Sequence, residues 1–289
     1  MPTRPLRTGA PTIAVRRIDL PVQIDHLRRL GADFAALHTA VTTLDARPGS
    51  EMLQQLGPKI IAIHELVGRA LVRLSVLAGS QYTAVPGSRS SLETLGEVVT
   101  SASLAASQLA RAVANNPLEA AVHAGSRPID DAAVRQARHA EAELLLAESL
   151  AAAAHQLDLC ATCCQYTASG IARDLKDHPE HRPPLPRLTD AQYTALATIT
   201  QGGARRYEHR NGSRSIRAGD GGGIHATPFA VLEKHRLVRV DTQPAPIAGQ
   251  DITVTAAGKL VLDVQRPEPK PAASPDRSPA PGRPGGRRR

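Results

Sequence analysis

Aromatic side chains are almost missing from this chain, which has no tryptophan, two phenylalanines and four tyrosines among 289 residues. Cysteine occurs only three times, and so small and odd a number argues against a secreted disulfide scaffold and favours a reducing compartment. Hydrophobic residues nevertheless make up 42% of the sequence, which is enough to bury a core. We therefore expect a folded protein of one or two domains with tails.

Long apolar runs are also missing. No uninterrupted apolar stretch is long enough to span a membrane, and the first twenty residues carry charge without the apolar segment of a signal peptide. These absences predict a cytoplasmic protein that has no membrane partner.

Lysine is scarce beside arginine, since only five of the 35 basic residues are lysine. A GC-rich genome imposes the same bias on any protein, so an excess of arginine does not by itself indicate a function. The placement of charge says more: the net charge is +4 over residues 1–17, −4 over 18–184, +3 over 185–264 and +5 over 265–289. An acidic middle between basic ends directs any contact with a polyanion to the C-terminal third and the tails.

Apolar residues recur at spacings of three and four over most of the first 175 residues, which places them on one stripe of each helix. The Arg-Pro-Gly-Ser sequence at 47–50 separates the first stripe from the second, and Pro58 near the start of the second predicts a kink. The four predicted helices cover residues 24–45, 53–77, 92–113 and about 130–175.

Four long amphipathic helices with short connections predict an antiparallel helical bundle over residues 18–177. The stripes are expected to form a core within one chain. Alternatively, they form a homo-oligomer or bind a protein partner, because the fourth helix is longer than a compact bundle needs. Segment 117–129 fits either a short helix or a loop, and the four prolines within 178–187 predict a linker.

Residues 188–264 predict a small α+β domain. Thr189 and Gln192 have the spacing of a capping box for a helix that ends at Ile199. Asn211-Gly212 predicts a β-hairpin with a two-residue turn, which pairs Tyr207 with Ile216 and Arg206 with Arg217. In this register Tyr207 and Ile216 face the core, whereas Arg206 and Arg217 face outward with Glu208 and Arg210.

The rest of this domain contains two more short helices and two strands. Thr227 is expected to cap the first of these helices, with Pro228 at its first position, and the strands LVRVDT and QDITVT follow. The closing helix begins at Thr255.

The sequence TPFAVLEKHRLVRVD followed by ITVTAAGKLVLD resembles the winged helix-turn-helix domain of multiple-antibiotic-resistance-regulator (MarR-like) proteins. In that family a helix ending in Leu-Glu-Lys runs into the first wing strand, and a Thr-Val-Thr phrase with Ala-Gly starts the final helix. The resemblance covers about 188–264 and implies a winged-helix-like fold that contacts DNA. The family usually has a further helix where this chain has the arginine-rich hairpin and a glycine run.

Duplex DNA is the partner that this resemblance implies. The outward face of the predicted recognition helix, with Thr227 and Lys234, has few side chains that hydrogen-bond to base edges, so contacts to phosphates are better supplied. Alternatively, the winged helix makes protein contacts. The candidate DNA-binding residues are Arg205, Arg206, Arg210, Arg214, Arg217, Thr227, Lys234, Arg236 and Arg239.

The sequence has one pattern that is similar to a metal site. It consists of Cys160, Cys163 and Cys164 followed by His178 and His181. The cysteines would lie on the order of 20 Å from the end of their helix, beyond the reach of the short segment to the histidines. We therefore expect core cysteines and no metal.

No catalytic motif is recognised, so neither an enzymatic activity nor a cofactor is predicted. The glycine run at 219–223 lacks the Gly-Lys-Ser/Thr ending of a phosphate-binding loop and is expected to be a flexible joint.

Both ends of the chain are expected to be disordered: the basic N-terminus, residues 1–17, and the basic Pro/Arg tail, residues 265–289. The sequence as a whole predicts a mainly α protein: a bundle, a small winged-helix-like domain and a disordered tail. Its expected function is that of a DNA-associated regulator or accessory protein, with a non-enzymatic scaffold as the alternative.

Overall fold

The computed structural model describes residues 16–117, 132–209 and 212–265, with the exception of the Ser50 side chain. Within these ranges the chain is mainly helical, with a small antiparallel sheet in its C-terminal part, as predicted. The helices are α1 (Leu20–Thr42), α2 (Ser50–Ala78), α3 (Ser88–Ala114), α4 (Ala132–Asp177), α5 (Asp190–Thr200), α6 (Ala226–Lys234) and α7 (Ala256–Val264). The strands are β1 (Arg205–Glu208), β2 (Arg214–Arg217), β3 (Gly223–Ile224), β4 (Val238–Val240) and β5 (Gln250–Val254).

Several predictions concern residues outside these described ranges. The described part of the chain does not include 1–15, 118–131, 210–211 or 266–289. The N-terminal and C-terminal tails, the choice between helix and loop for 117–129, and the placement of Arg210 therefore lie almost entirely outside it.

Helices α1 to α4 form the bundle, in which α4 packs along both α1 and α3, and α2 packs mainly on α3. The predicted stripes are the buried faces, so the heptad pattern is satisfied within one chain. Helix α1 begins four residues before its predicted start because the Asp19 side chain accepts a hydrogen bond from the Val22 N–H. Leu53 was expected in the core but is 51% exposed, and Met52 is buried instead.

A buried hydrogen bond connects the turn between α2 and α3 to the end of α4. A short 3-10 turn, Gln81–Ala84, places Tyr82 in the core, where its hydroxyl donates to Asp174 Oδ2 at 2.7 Å. Burial raises the pKa of the Tyr82 phenol, so it keeps its proton and acts as the donor. Gly87, the N-cap residue of α3, has φ +89, and a Cβ there would lie 2.9 Å from Asp174 Oδ1.

The C-terminal module contains α5 to α7 and a five-stranded sheet in the order β3-β2-β1-β5-β4. Its core includes Leu196, Ile216, Phe229, Leu232 and Val261. The capping box of Thr189 and Gln192 is present, and Thr255 caps α7 by accepting a hydrogen bond from the Gly258 N–H. Both helix starts were therefore predicted correctly.

The predicted hairpin register is wrong by one residue. Arg206 pairs with Ile216, and Arg205 pairs with Arg217. The His209 N–H donates to the Ser213 carbonyl at 2.8 Å, and Gly212 has φ +76, so three residues rather than two lie between the last hydrogen-bonded pair of the hairpin. A left-handed glycine at the end of a three-residue loop is a common hairpin closure. A shift of one residue moves each side chain of β1 to the opposite face of the sheet.

Two further local predictions are corrected. Helix α6 begins at Ala226 with His225 at the N-cap, so Thr227 lies inside the first turn and is not the cap. The glycine run forms an ordered turn into β3 in place of a flexible joint. There the Ala218 N–H donates to the Gly222 carbonyl at 2.8 Å, and Asp220 Oδ1 accepts from the Gly222 N–H, also at 2.8 Å. Asp and Gly are the residues that favour such turns.

The bundle and the module meet where α7 begins beside α1. The Asp25 carboxylate accepts from the Ala256 N–H, with N–O distances of 3.0 and 3.1 Å. The acid therefore lies at a helix N-terminus, where negative charge is stabilised. Burial raises the pKa of Asp25, and the hydrogen bond from Ala256 opposes this shift.

The sequence was expected to contain no segment that could span a membrane, and helix α4 departs from that expectation. It is long and apolar enough to cross a bilayer by length and composition, with a mean hydropathy of 1.2 over its most apolar window. Its many alanines raise this mean, although charged residues interrupt the run. The finding is weak evidence for a membrane segment, because the core helix of a soluble bundle passes the same test and one face of α4 lies in the core.

The buried hydrogen bond makes Tyr82→Phe a sensitive substitution. Removing the hydroxyl leaves the Asp174 carboxylate without this donor, so we expect the free energy of unfolding to fall by about 1 to 3 kcal/mol. Urea unfolding followed by circular dichroism measures the change. Tyr166, which is 60% exposed, is the control, and Tyr166→Phe should change stability by less than about 0.5 kcal/mol. Equal stabilities for the two variants would contradict this role of Tyr82.

Candidate nucleic-acid interface

The outward face of the sheet carries three arginines on three strands. Arg205 of β1 lies directly opposite Arg217 of β2 on one side and Asp251 of β5 on the other. Arg239 of β4 lies opposite Thr253 of β5. Directly opposite residues share a face and alternate residues along a strand share a face, so these side chains are all on one side of the sheet. The other side carries the buried Ile216 and Ile252.

Arg205 and Arg217 differ in how far a nearby acid compensates their positive charge. Arg205 Nε lies 2.7 Å from Asp251 Oδ1, and this contact raises the pKa of Arg205. Both side chains remain about half exposed, so the pair is accessible to solvent. Arg217 donates to the Gly221 carbonyl at 3.3 Å and makes no ion pair within the described residues. Arg217 therefore presents the less compensated charge.

Arg206 lies on the core side of the sheet and not on the outward face where the sequence placed it. Its side chain is only 21% exposed and lies 3.2 Å from Glu233 of α6. It also donates to Gln250 Oε1 of β5 at 2.8 Å. The corrected register explains this position, since Arg206 is opposite Ile216. Arg206 therefore connects the hairpin to α6 and β5 and is not available to a ligand on the outward face.

The tip of the hairpin carries another charged pair. Arg214 is opposite Glu208 in the ladder and lies 3.4 Å from it. The Arg214 side chain is 66% exposed. Arg210, the remaining hairpin candidate, lies outside the described residues.

Helix α6 presents the face that the sequence predicts. Phe229 and Leu232 are buried, whereas Thr227 and Lys234 are exposed. Arg236 follows the helix at φ 56, and its carbonyl accepts from Thr255 Oγ1 at 2.8 Å. The loop between β4 and β5, residues 241–249, contains Asp241 and no basic residue, and Ile247 there is 71% exposed. This loop offers no cation to a phosphate.

Arg239 lies close enough to the bundle to interact electrostatically with an acid there. Its positive charge acts on the Asp25 carboxylate of α1, which also lies 3.8 Å from Arg28. Of the candidate residues on the outward face, Arg205 and Arg217 are the pair that lies on the hairpin, and Arg205 is also held by Asp251 of β5.

The candidate metal residues are not brought together. Cys160 and Cys164 are fully buried in the bundle, and burial raises the pKa of each thiol to about 12. His178 and His181 lie beyond the end of α4 on either side of Glu180, at 3.5 and 3.8 Å from its carboxylate. No group of three or more His, Cys, Asp or Glu side chains suited to a metal ion occurs in the part of the chain that the structure describes.

Comparison of the chain with protein-family models, with curated proteins and with solved structures gave no match. The winged-helix resemblance therefore stays a prediction.

Sequence reasoning identified the basic residues of the hairpin but missed their acidic partners. Glu233 and Asp251 are distant in sequence from Arg206 and Arg205 and approach them only through the fold. The sequence places Glu233 in a helix and Asp251 in a strand. Which arginine each acid meets depends on the register of β1, which the sequence prediction had wrong.

The buried thiols lead to a labelling prediction. At about pH 8 a thiol with a pKa near 12 is almost wholly protonated, and Cys160 and Cys164 are also inaccessible, so both should react slowly with a thiol reagent. Cys163, which is partly exposed, should react first. Mass spectrometry after timed labelling distinguishes the sites, and labelling in guanidinium chloride gives the rate for the unfolded chain. Equal rates at Cys160 in the two conditions would show that the bundle core is open.

Proposed function

We propose that this protein is a non-enzymatic, nucleic-acid-associated accessory protein. In this proposal the C-terminal module contacts the phosphates of duplex DNA, and the bundle binds a second copy or a protein partner. The supporting observation is the pair Arg205 and Arg217, which face outward from directly opposite positions of the hairpin. Two cations side by side on a two-stranded ribbon can each neutralise a phosphate of a polyanion.

The contact is proposed to be independent of base sequence. Helix α6 has Thr227 and Lys234 on its exposed face but no arginine, asparagine or glutamine there, and these are the usual side chains for base edges. Phosphate contacts position a protein on DNA without reading sequence. Regulation of transcription would then need a second protein to provide specificity.

The bundle has exposed apolar residues that support its proposed role in association. Leu53, Ile61, Leu71 and Val72 of α2 are each about half exposed or more. Because the predicted stripes are already buried within the chain, this surface and not the stripes would hold a second copy or a partner. The cytoplasm is the proposed location.

A scaffold whose module binds protein is the second candidate. It is favoured by the ion pairs of Arg205, Arg206 and Arg214 with acids of the same module, since these pairs reduce the net charge available to DNA. The uncharged tip of the β4–β5 loop, where Ile247 is 71% exposed, also suits a protein contact.

The dependence of duplex binding on salt tests the proposal. We expect log-log plots of affinity against salt concentration to have a negative slope, with each phosphate contact contributing about −0.9. Replacing the two hairpin arginines of the outward face, Arg205→Gln with Arg217→Gln, should make the slope less negative by about 1.8. Affinity should differ little among unrelated duplexes. Fluorescence anisotropy with a labelled duplex measures both quantities.

The control removes two arginines from α3, Arg89→Gln with Arg111→Gln, and should leave the slope unchanged. Each measurement is repeated on a chain that ends at residue 265, because the basic tail is another source of phosphate attraction. If the shortened chain binds no duplex, or if the two double variants have the same slope, the hairpin is not the contact and the scaffold is the better explanation.

A further inference from the structure

A basic groove lies between α1 and α2 and includes no residue of the hairpin. Its cavity volume is about 780 Å³. One wall is formed by α1, with His26, Arg29, Leu30 and Asp33, and the other by α2, with Glu65, Gly68, Arg69, Val72 and Arg73. Each set has the three- and four-residue spacing of one helix face, so the two helices bring their cations together across the groove.

The arginines of this groove are held by different partners. Arg69 lies 2.6 Å from the Asp33 carboxylate and is largely compensated. Arg73 Nη1 contacts His26 Nδ1 at 2.7 Å and donates to Gln23 Oε1 at 3.0 Å, and both partners are uncharged acceptors. Arg29 Nε donates to the backbone carbonyl of Asp25 at 3.3 Å. Within the described residues, neither Arg29 nor Arg73 forms an ion pair.

The contact with Arg73 fixes the protonation of His26. An arginine can only donate, so His26 Nδ1 must accept, and the proton of the neutral ring is on Nε2. Burial first, and then the charges of Arg73, Arg29 and Arg69, lower the pKa of His26 and keep it neutral. The pKa of Arg73 is lowered as well, by burial and by Arg29 and Arg69. The groove thus combines crowded positive charges with an imidazole N–H donor.

A second, apolar pocket continues this groove. It has a volume of about 320 Å³, shares Asp33 and Glu65 with the basic part, and is otherwise lined by Ala36, Leu37, Ala40, Ala62 and Leu66. The groove therefore has a cationic end and a hydrocarbon end, and the two parts share the carboxylates of Asp33, which is paired with Arg69, and Glu65. A ligand that matches both ends has an anionic group attached to a small apolar body.

We propose that the groove between α1 and α2 binds a small organic phosphate monoester, with Arg29, Arg73 and His26 on the phosphate and the apolar pocket on its hydrocarbon part. Guanidinium groups bind phosphate oxygens in a planar, two-donor geometry. Donors on both walls can engage three phosphate oxygens, whereas a carboxylate has only two. The dianion also relieves the repulsion between Arg29 and Arg73.

Isothermal titration calorimetry of the full chain with three probes tests this site. The probes are hexyl phosphate, inorganic phosphate and hexanoate, at a pH near 7.5 where the monoester is mostly a dianion. We expect saturable one-to-one binding of hexyl phosphate, and weaker binding of inorganic phosphate and of hexanoate. Tighter binding of hexanoate than of hexyl phosphate would overturn the assignment to a phosphate.

Variants identify the groove as the location. Arg29→Gln with Arg73→Gln should lower the affinity for hexyl phosphate at least about 10-fold, because two charge-assisted hydrogen bonds are lost. Arg89→Gln with Arg111→Gln removes the same charge from α3 and should not change it. Arg205→Gln with Arg217→Gln should also leave it unchanged, which separates this site from the hairpin.

Two single substitutions keep the test valid if the double variant does not fold. Arg29 is exposed, so Arg29→Gln should fold and should still weaken hexyl phosphate binding. Ala40→Leu fills the apolar pocket and should weaken binding of hexyl phosphate but not of inorganic phosphate. Absence of saturable binding for all three probes, or unchanged affinity in Arg29→Gln, would overturn the proposal.

Discussion

Close packing of α4 against α1 and α3 is the constraint on which the rest of the structure depends. With so few aromatic residues, the bundle core is filled mainly by leucine and alanine. The small side chains among them allow helix axes to approach. At Gly31 of α1 a Cβ would lie 3.0 Å from Gln165 Nε2 and 3.1 Å from Cys164 Cβ. At Gly170 of α4 a Cβ would lie 2.8 Å from the Ser91 hydroxyl. Larger residues at these points would separate the helices.

The position of α4 then determines where the module begins. Asp174, in the last turns of α4, is held by Tyr82, and Arg182 donates to the carbonyls of Leu175 and Lys176 just beyond. The linker is held at its other end by Gln265, which donates to the Pro186 carbonyl at 2.6 Å. Helix α2 packs less extensively on α1 than on α3. The space left between α1 and α2 is the basic groove.

The sequence predicts periodic features of this protein well and pairings between elements poorly. The stripes of α1 to α4 and the caps at Thr189 and Thr255 depend on local spacing, and the structure has them. The hairpin register depends on whether the loop has two or three residues, and Asn-Gly occurs in both kinds. That one residue decides whether Arg206 faces solvent or Glu233. The groove was missed because its cations belong to two helices, and their shared face follows only from how α1 packs on α2.

The contact between Asp25 and Ala256 also bears on the order in which the chain folds. The two residues are 231 positions apart in sequence, so the contact closes a loop that contains α2 to α6 and all five strands. During synthesis α1 to α4 can pack before the module has been made, because α7 follows them in the chain. We therefore expect α7 to dock on α1 after the bundle has formed, and the Asp25 carboxylate to be solvated until then.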